Sequence, residues 1–147
     1  MLIRKGTEQD VEGIFRLIQV LAEYEHALEE VETSPEQLKN DGFGKSPLFQ
    51  TLVAEEEGEI IGFALYFFTY STWKGKCLYL EDFAVAEEKR KLGVGQRIFD
   101  KLKEIAKKES VKRFAWQVLD WNEPAISFYQ KNQAELDGDW INCRIRM

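Results

Sequence analysis

A chain of 147 residues, 44% hydrophobic and 31% charged, fits one globular domain over residues 1–147, since domains cluster at roughly 100–150 residues; this composition excludes a disordered tail. The net charge of −6 argues against nucleic acid as a main partner and mildly favours a cationic one, although solubility alone explains such a charge about as well. One histidine and two cysteines without a CxxC leave no zinc site and no disulfide framework, and without an apolar leader or a membrane-length stretch the expected location is cytoplasmic, with no membrane partner.

"LIRKGT" reads as a short strand ended by Gly6. In "TEQDVEGIFRLIQVLAEYEHALEE", Val11, Ile14, Phe15, Ile18 and Leu21 recur at helical spacing, and Thr7 with Asp10 forms a capping pattern at its start. "SPEQLKNDGFG" is a second, short helix with Ser34 as cap, Pro35 in the first turn and a stop near Gly42. "LFQTLVAEEEGEIIGFALYFFTY" reads as a hairpin about the turn Glu57–Gly58–Glu59. From Ile60 to Tyr70 both faces are apolar, which requires cover on both sides of the sheet. The loop "STWKGK" leads to the strand "CLYLEDFAV". "GVGQRIFDKLKEIAKKES" is an amphipathic helix with Val94, Ile98, Leu102 and Ile105 on one stripe. "VKRFAWQVL" is a strand, "NEPAISFYQKNQ" a helix and "DWINCRIRM" a closing strand. Cys77 and Cys143 are read as small core hydrophobes. The sum is a mixed α/β sheet flanked by helices.

"EEKRKLGVGQ" stands between a strand and a helix. A helix N-terminus presents amides without helical partners and binds anions. Gly93 and Gly95 let a ligand approach the backbone, and Arg90 and Lys91 add charge, which suits a pyrophosphate. The Walker pattern is absent and a third Rossmann glycine is missing. Glycines that merely ease a tight turn account for a lone GxG equally well.

"YLEDFAV" carries two adjacent carboxylates in an apolar strand. Successive strand side chains point to opposite faces, so Glu81 and Asp82 cannot both turn to the same solvent side. An alkylammonium has a pKa near 10.4, and removing its proton near neutral pH costs about 4 kcal/mol. A carboxylate that holds the cation and takes the proton offsets this, and Glu81 is the candidate. Asp82, on the other face, either meets a second positive charge of the substrate or is ion-paired structurally. Asn122 reads as a helix cap; Tyr129, beside Phe128, reads as core by itself.

Three stretches together, "RKLGVG", "DWNEPAISFY" and "YFFTYSTWKGKCLYLEDFAV", with "LAEYEHALEE" before them, resemble the GNAT acetyltransferases and, within them, the spermidine/spermine, diamine or thialysine branch. The resemblance implies the acyl-CoA N-acyltransferase fold, acetyl-CoA as cofactor with CoA as product, a small cationic amine as substrate, no metal, and a homodimer with pockets near the subunit interface. It implies cofactor contacts at Phe83, Ala84, Val85, Arg90, Lys91, Leu92, Gly93, Val94, Gly95, Gln96 and Asn122, the backbone of Phe83–Val85 pairing with the pantetheine arm as an added strand would. It assigns Tyr129 as general acid and Glu81 as the catalytic carboxylate. Tyr24, Glu25, Trp73, Glu81, Asp82 and Trp140 are the substrate-pocket candidates. The chain has Asn132-Gln133 where the family's helix usually ends in glycine, and Ser71-Thr72 where polyamine enzymes carry an acid. A second enzymatic reading is acetylation of a protein lysine or another amine, and a different class is a non-catalytic acyl-CoA-binding module.

Overall fold

The computed structural model describes Met1–Met147. By internal packing the chain divides into two compact units, Met1–Trp116 and Gln117–Met147.

The first unit is built on a five-stranded sheet in sequential order: β1 (Leu2–Lys5), β2 (Gln50–Glu56), β3 (Glu59–Ser71), β4 (Gly75–Val85) and β5 (Phe114–Trp116). β1 to β4 pair antiparallel, and β5 joins β4 in parallel. The β2–β3 turn has Glu57 and Gly58 at φ 51° and 80°, the left-handed pair that a tight two-residue hairpin demands.

Helix α1 (Val11–Tyr24) is entered through a 3-10 turn in which the Thr7 amide donates to Asp10 at 2.7 Å, the capping pattern expected. Asp10 is also gripped by Arg4 through two hydrogen bonds of 2.7 and 2.8 Å, which tie β1 to the start of α1. The helix stops earlier than its apolar pattern. His26 turns left-handed at φ 58°, and the amides of His26 and Ala27 close back on Glu23 and Ala22 at 3.1 and 2.8 Å. This is the usual helix-ending arrangement with histidine in place of the customary glycine, so Tyr24 and Glu25 sit at the end of α1.

Helix α2 (Pro35–Phe43) begins as expected, with Ser34 Oγ accepting from the Gln37 amide at 3.1 Å. Ile14 and Leu17 of α1 pack against Val53, Ile60, Phe63, Leu65 and Ala84 on one face of the sheet. Helix α3 (Val94–Lys108) covers the other. It lies so close that a Cβ at Gly62 would meet Ile98 Cδ1 at 3.0 Å and the Ala84 carbonyl at 3.3 Å. Phe99 of α3 joins Phe83, Phe114 and Trp116 in an aromatic cluster, with ring centroids 6.1, 5.4 and 5.3 Å away. Each such buried ring or branched side chain contributes roughly 1.5–3 kcal/mol. Cover on both faces of β3 holds only for Ile60–Tyr66, since Thr69 and Tyr70 are exposed.

The second unit holds helix α4 (Glu123–Lys131), capped by Asn122, whose side chain accepts from the Ala125 amide at 3.4 Å. Three expectations are corrected. The stretch "DWINCRIRM" forms no strand, and every residue from 135 to 147 is exposed. Cys143 is exposed, whereas Cys77 is buried as expected. The preceding strand pattern, read over nine residues, shrinks to the three of β5.

Candidate active site

The two carboxylates of β4 sit at a break in the sheet. Along the β3–β4 ladder Tyr66 pairs with Leu80 and Leu65 pairs with Asp82. Glu81 is therefore one extra residue, a β-bulge. Neighbouring residues of β3 face opposite ways, so Leu80 and Asp82, two apart, also face opposite ways, which a regular strand forbids. The regular alternation read from the sequence thus fails at Glu81. Asp82 is carried to the side of Leu65, the face that α1 covers, and Glu81 is exposed.

Glu25, at the end of α1, lies on that side. Burial pushes the Asp82 carboxyl up to about 7, with the negative charges of Glu81 and Glu25 adding to it. Burial raises Glu25 as well. Burial also raises Tyr79, reinforced by the charge of Glu81. Three carboxyls thus gather at the end of α1 and the bulge of β4, and no cation of the protein is among the groups that shift Asp82 and Glu25. The fold supplies the charge deficit that a cationic ligand would fill.

The bulge also ends the β4–β5 pairing. The last matched pair is Leu80 with Trp116, so from Glu81 to Val85 the β4 backbone continues without β5 beside it. Past Val85 the chain makes a 3-10 turn (Glu87–Lys89), held to the end of β2 by the Lys89–Glu56 ion pair. Lys91 and Gly93 then adopt φ of 62° and 84°. Gly93 is the N-cap of α3 and has no side chain to offer the helix; the first helical bond runs from the Arg97 amide to the Gly93 carbonyl at 3.1 Å. No acid stands in the first turn of α3, while Arg90 and Lys91 are exposed beside it. Uncapped first-turn amides, basic neighbours and no competing carboxylate fit a pyrophosphate. Arg90 Nε donates to the Val85 carbonyl at 3.2 Å, and its guanidinium lies 5.4 Å from the centre of the Tyr24 ring.

Residues 14–134, which run through both units, match the model of the acetyltransferase (GNAT) family. The chain belongs to this family. GNAT acetyltransferases use acetyl-CoA generally, and the chain is an N-acetyltransferase by family. It is 43% identical over 138 residues to thialysine N-epsilon-acetyltransferase of Sus scrofa, a match covering 88% of this chain and 81% of that protein. The protein of the same name from Caenorhabditis elegans is 33% identical over 124 residues, covering 84% and 76%. Among solved structures, the tetramutant of the BH1408 protein from Bacillus halodurans superposes with a TM-score of 0.82 at 24% identity, covering 99% of this chain and 100% of that one. An aminoglycoside acetyltransferase from a soil metagenome gives 0.80 at 16%, covering 99% and 95%. Both superpositions bear on the fold.

Within this acetyltransferase, the first unit brings Glu25, Asp82 and Glu81 together, and Tyr24 with Arg90. It does not bring Trp73 to them. Trp73 is 89% exposed at the tip of the β3–β4 hairpin, where Ser71 Oγ accepts from the amides of Trp73 and Lys74 at 3.2 and 3.1 Å. Glu81 stands six residues beyond Gly75 along β4, about 20 Å at the usual strand rise. In the second unit Tyr129 is buried on α4, with its ring centroid 5.6 Å from that of Phe128. The Trp140 indole N–H donates to Asp137 Oδ2 at 3.1 Å, and its ring is otherwise exposed. Two contributors escaped the sequence. Lys89 pins the glycine turn, and Tyr79 borders Glu81; the first is one basic residue among several in "EEKRK", the second one aromatic among many in the strand.

Proposed function

We propose that this acetyltransferase moves the acetyl group of acetyl-CoA to a primary amine of a small diamine, polyamine or lysine-like amino acid. The observation that carries the reading is the group of three carboxyls, Glu25, Asp82 and Glu81, in which Asp82 feels the charge of the other two, placed where β4 loses its β5 neighbour. A protein lysine brings one ammonium on a long stem, whereas a short dication neutralises more of such a pocket. The thialysine acetyltransferases it resembles act, by their names, on the ε-nitrogen of a lysine analogue.

When bound, acetyl-CoA supplies the activated acyl group. Arg90, Lys91 and the backbone from Leu92 through Gly93, Val94 and Gly95 to Gln96 hold its pyrophosphate, and the strand edge at Phe83, Ala84 and Val85 aligns its arm. Asn122 contributes to the same cofactor. Glu81, at the bulge, holds the reacting ammonium and receives its proton, directly or through water. Asp82 and Glu25 take the remote positive charge. Tyr129 donates the proton that the departing thiolate needs. Tyr24, next to Glu25 and beside Arg90, borders the substrate.

The test is a thiol-release assay over a panel of amines: thialysine, ornithine, spermidine, a short diamine, a monoamine of matched length and a lysine peptide. The dicationic or lysine-like small molecules should exceed the monoamine and the peptide in kcat/KM by at least about tenfold, equivalent to roughly 1.4 kcal/mol of transition-state binding. A peptide that outperforms every small amine overturns the reading.

A further inference from the structure

Three carboxyls account for the charges of a small amine and leave its methylene stem without a surface. Such a surface lies one level further along β3 and β4. Phe67 pairs with Tyr79 as Leu65 pairs with Asp82, and residues two apart in a strand share a face. Both rings therefore stand on the side of Asp82. They meet each other with centroids 5.5 Å apart and planes inclined at 37°. The step from the Leu65 level to the Phe67 level is about 7 Å, comparable to the stem of a short diamine.

The rings stay open because α1 ends before it reaches them. The helix runs along β3: a Cβ at Gly13, near its start, would meet Ile60 Cγ1 at 2.8 Å. At its other end the charge of Glu25 reaches Asp82, opposite Leu65. Leu65 is accordingly only 8% exposed, whereas Phe67 and Tyr79, beyond the stop made by the left-handed His26, are half-buried. On its other side Tyr79 pairs with Ala115, too small to cover a ring. Tyr79 also stands near Glu81, whose charge adds to burial in raising its hydroxyl. A cross-strand aromatic pair stabilises a sheet with or without a ligand, but this one is left half open beside three carboxyls.

We propose that Phe67 and Tyr79 form a further substrate subsite, an apolar wall along which the methylene stem of the amine lies while the carboxyls take its charges. The wall sets the stem length that the enzyme prefers. This inference rests on the small-amine reading and deepens it. Carboxylates reward charge and are indifferent to what carries it. An aromatic face rewards each methylene laid against it and adds attraction for the ammonium at the end of the stem. The class selected is a linear alkylamine, in preference to a compact cation of the same charge.

Linear monoamines from ethylamine to hexylamine isolate the wall, because they carry no second charge for Asp82 and Glu25. Wild-type kcat/KM should rise by about two- to fourfold for each added methylene until the stem outruns the rings. Tyr79→Thr, which keeps a strand former and removes the ring, should flatten most of that rise, and Tyr79→Phe should keep it. Because Tyr79→Thr can fail to fold, a second measurement uses the wild-type chain with CoA bound. There, NOEs should connect the methylenes of hexylamine to the ring protons of Phe67 and Tyr79. A flat wild-type series, a folded Tyr79→Thr variant with the wild-type slope, or hexylamine without NOEs to either ring overturns the subsite. A diamine preferred over its matched monoamine, with a flat monoamine series, removes the wall and leaves the small-amine reading. A rising series in which the lysine peptide outperforms every small amine does the reverse.

Discussion

The Arg90 guanidinium stands over the ring of Tyr24, 5.4 Å from its centre, so the end of the first helix holds a cation of the glycine turn. A cation–π contact at a solvent-accessible site contributes about 0.5–1 kcal/mol. Tyr24→Ala should therefore weaken CoA binding by roughly two- to fivefold, whereas Tyr24→Phe, which keeps the ring face, should bind CoA as wild type does. Titration calorimetry with CoA checks both. Equal weakening in the two variants would assign the effect to the hydroxyl and remove the role given to the ring.

Gly93 offers a sharper test of the turn. No atom lies within 4 Å of the position where its Cβ would be, so a side chain there meets no clash, and the penalty comes from φ 84° alone. For an ordinary residue that penalty is about 1–2 kcal/mol. Gly93→Asn should lose less stability than Gly93→Val, because asparagine tolerates the left-handed region. Both should lose most of the thermal shift that CoA gives the wild type. Scanning fluorimetry with and without CoA measures the two effects separately, and a Gly93→Val variant that keeps the full shift would show that the pyrophosphate lies elsewhere.

Asp82 predicts a pH dependence whose sign follows from its environment. Its carboxyl rises from an ordinary 3.8 to about 7 in the fold, so between these values the folded chain binds more protons than the unfolded one. Stability from this group therefore falls as pH rises from about 4 to about 7 and is flat above. Asp82→Asn should remove that slope, and its Tm relative to wild type should climb across the same window. In catalysis the consequence is opposite. A dication binds the ionised pocket, so wild-type KM for a diamine should rise as pH falls below about 7, and Asp82→Asn should have a high KM with little pH dependence in that window. The monoamine should be nearly indifferent to the substitution. Equal harm to both amines would make Asp82 structural.

Glu81→Gln and Tyr129→Phe address the proton transfers. Each should leave the fold intact and lower kcat by roughly 10²–10⁴ where chemistry limits the rate. The Glu81 variant should be relatively most impaired at low pH, where more of the amine is protonated. The Tyr129 variant should show its loss with every amine alike. Rate-limiting chemistry is established by a pre-steady-state burst measurement; an unchanged kcat in the Tyr129 variant returns Tyr129 to a packing role, and one in the Glu81 variant shows that Glu81 is not the base.

Much of this arrangement was legible in the sequence because its signals are local. The Glu57–Gly58 turn, the apolar stripe at Val94, Ile98 and Leu102, the Ser34 and Asn122 caps and the glycine turn all follow from residues a few positions apart. What could not be read is non-local. The bulge at Glu81 leaves no mark in "YLEDFAV", since only the partner strand reveals the extra residue. The end of α1 depends on a left-handed His26, which lacks the usual glycine signal. The closing strand read in "DWINCRIRM" is not formed, because a strand needs a partner and the residues of the segment by themselves do not name one.

The bulge makes β4 behave like a sentence with one letter inserted: everything after Glu81 is read in the opposite phase. Were Glu81 instead paired regularly with Leu65, Asp82 would return to the face of Leu80, and Phe83, Ala84 and Val85 would invert together. The acidic cluster, the strand edge and the contact between Phe83 and Phe99 would be lost in a single step. Deleting Glu81, by contrast, leaves Leu80 opposite Tyr66 and Asp82 opposite Leu65 and removes one carboxylate alone. The ladder can spare Glu81, so this residue stands in the strand without being needed by the sheet.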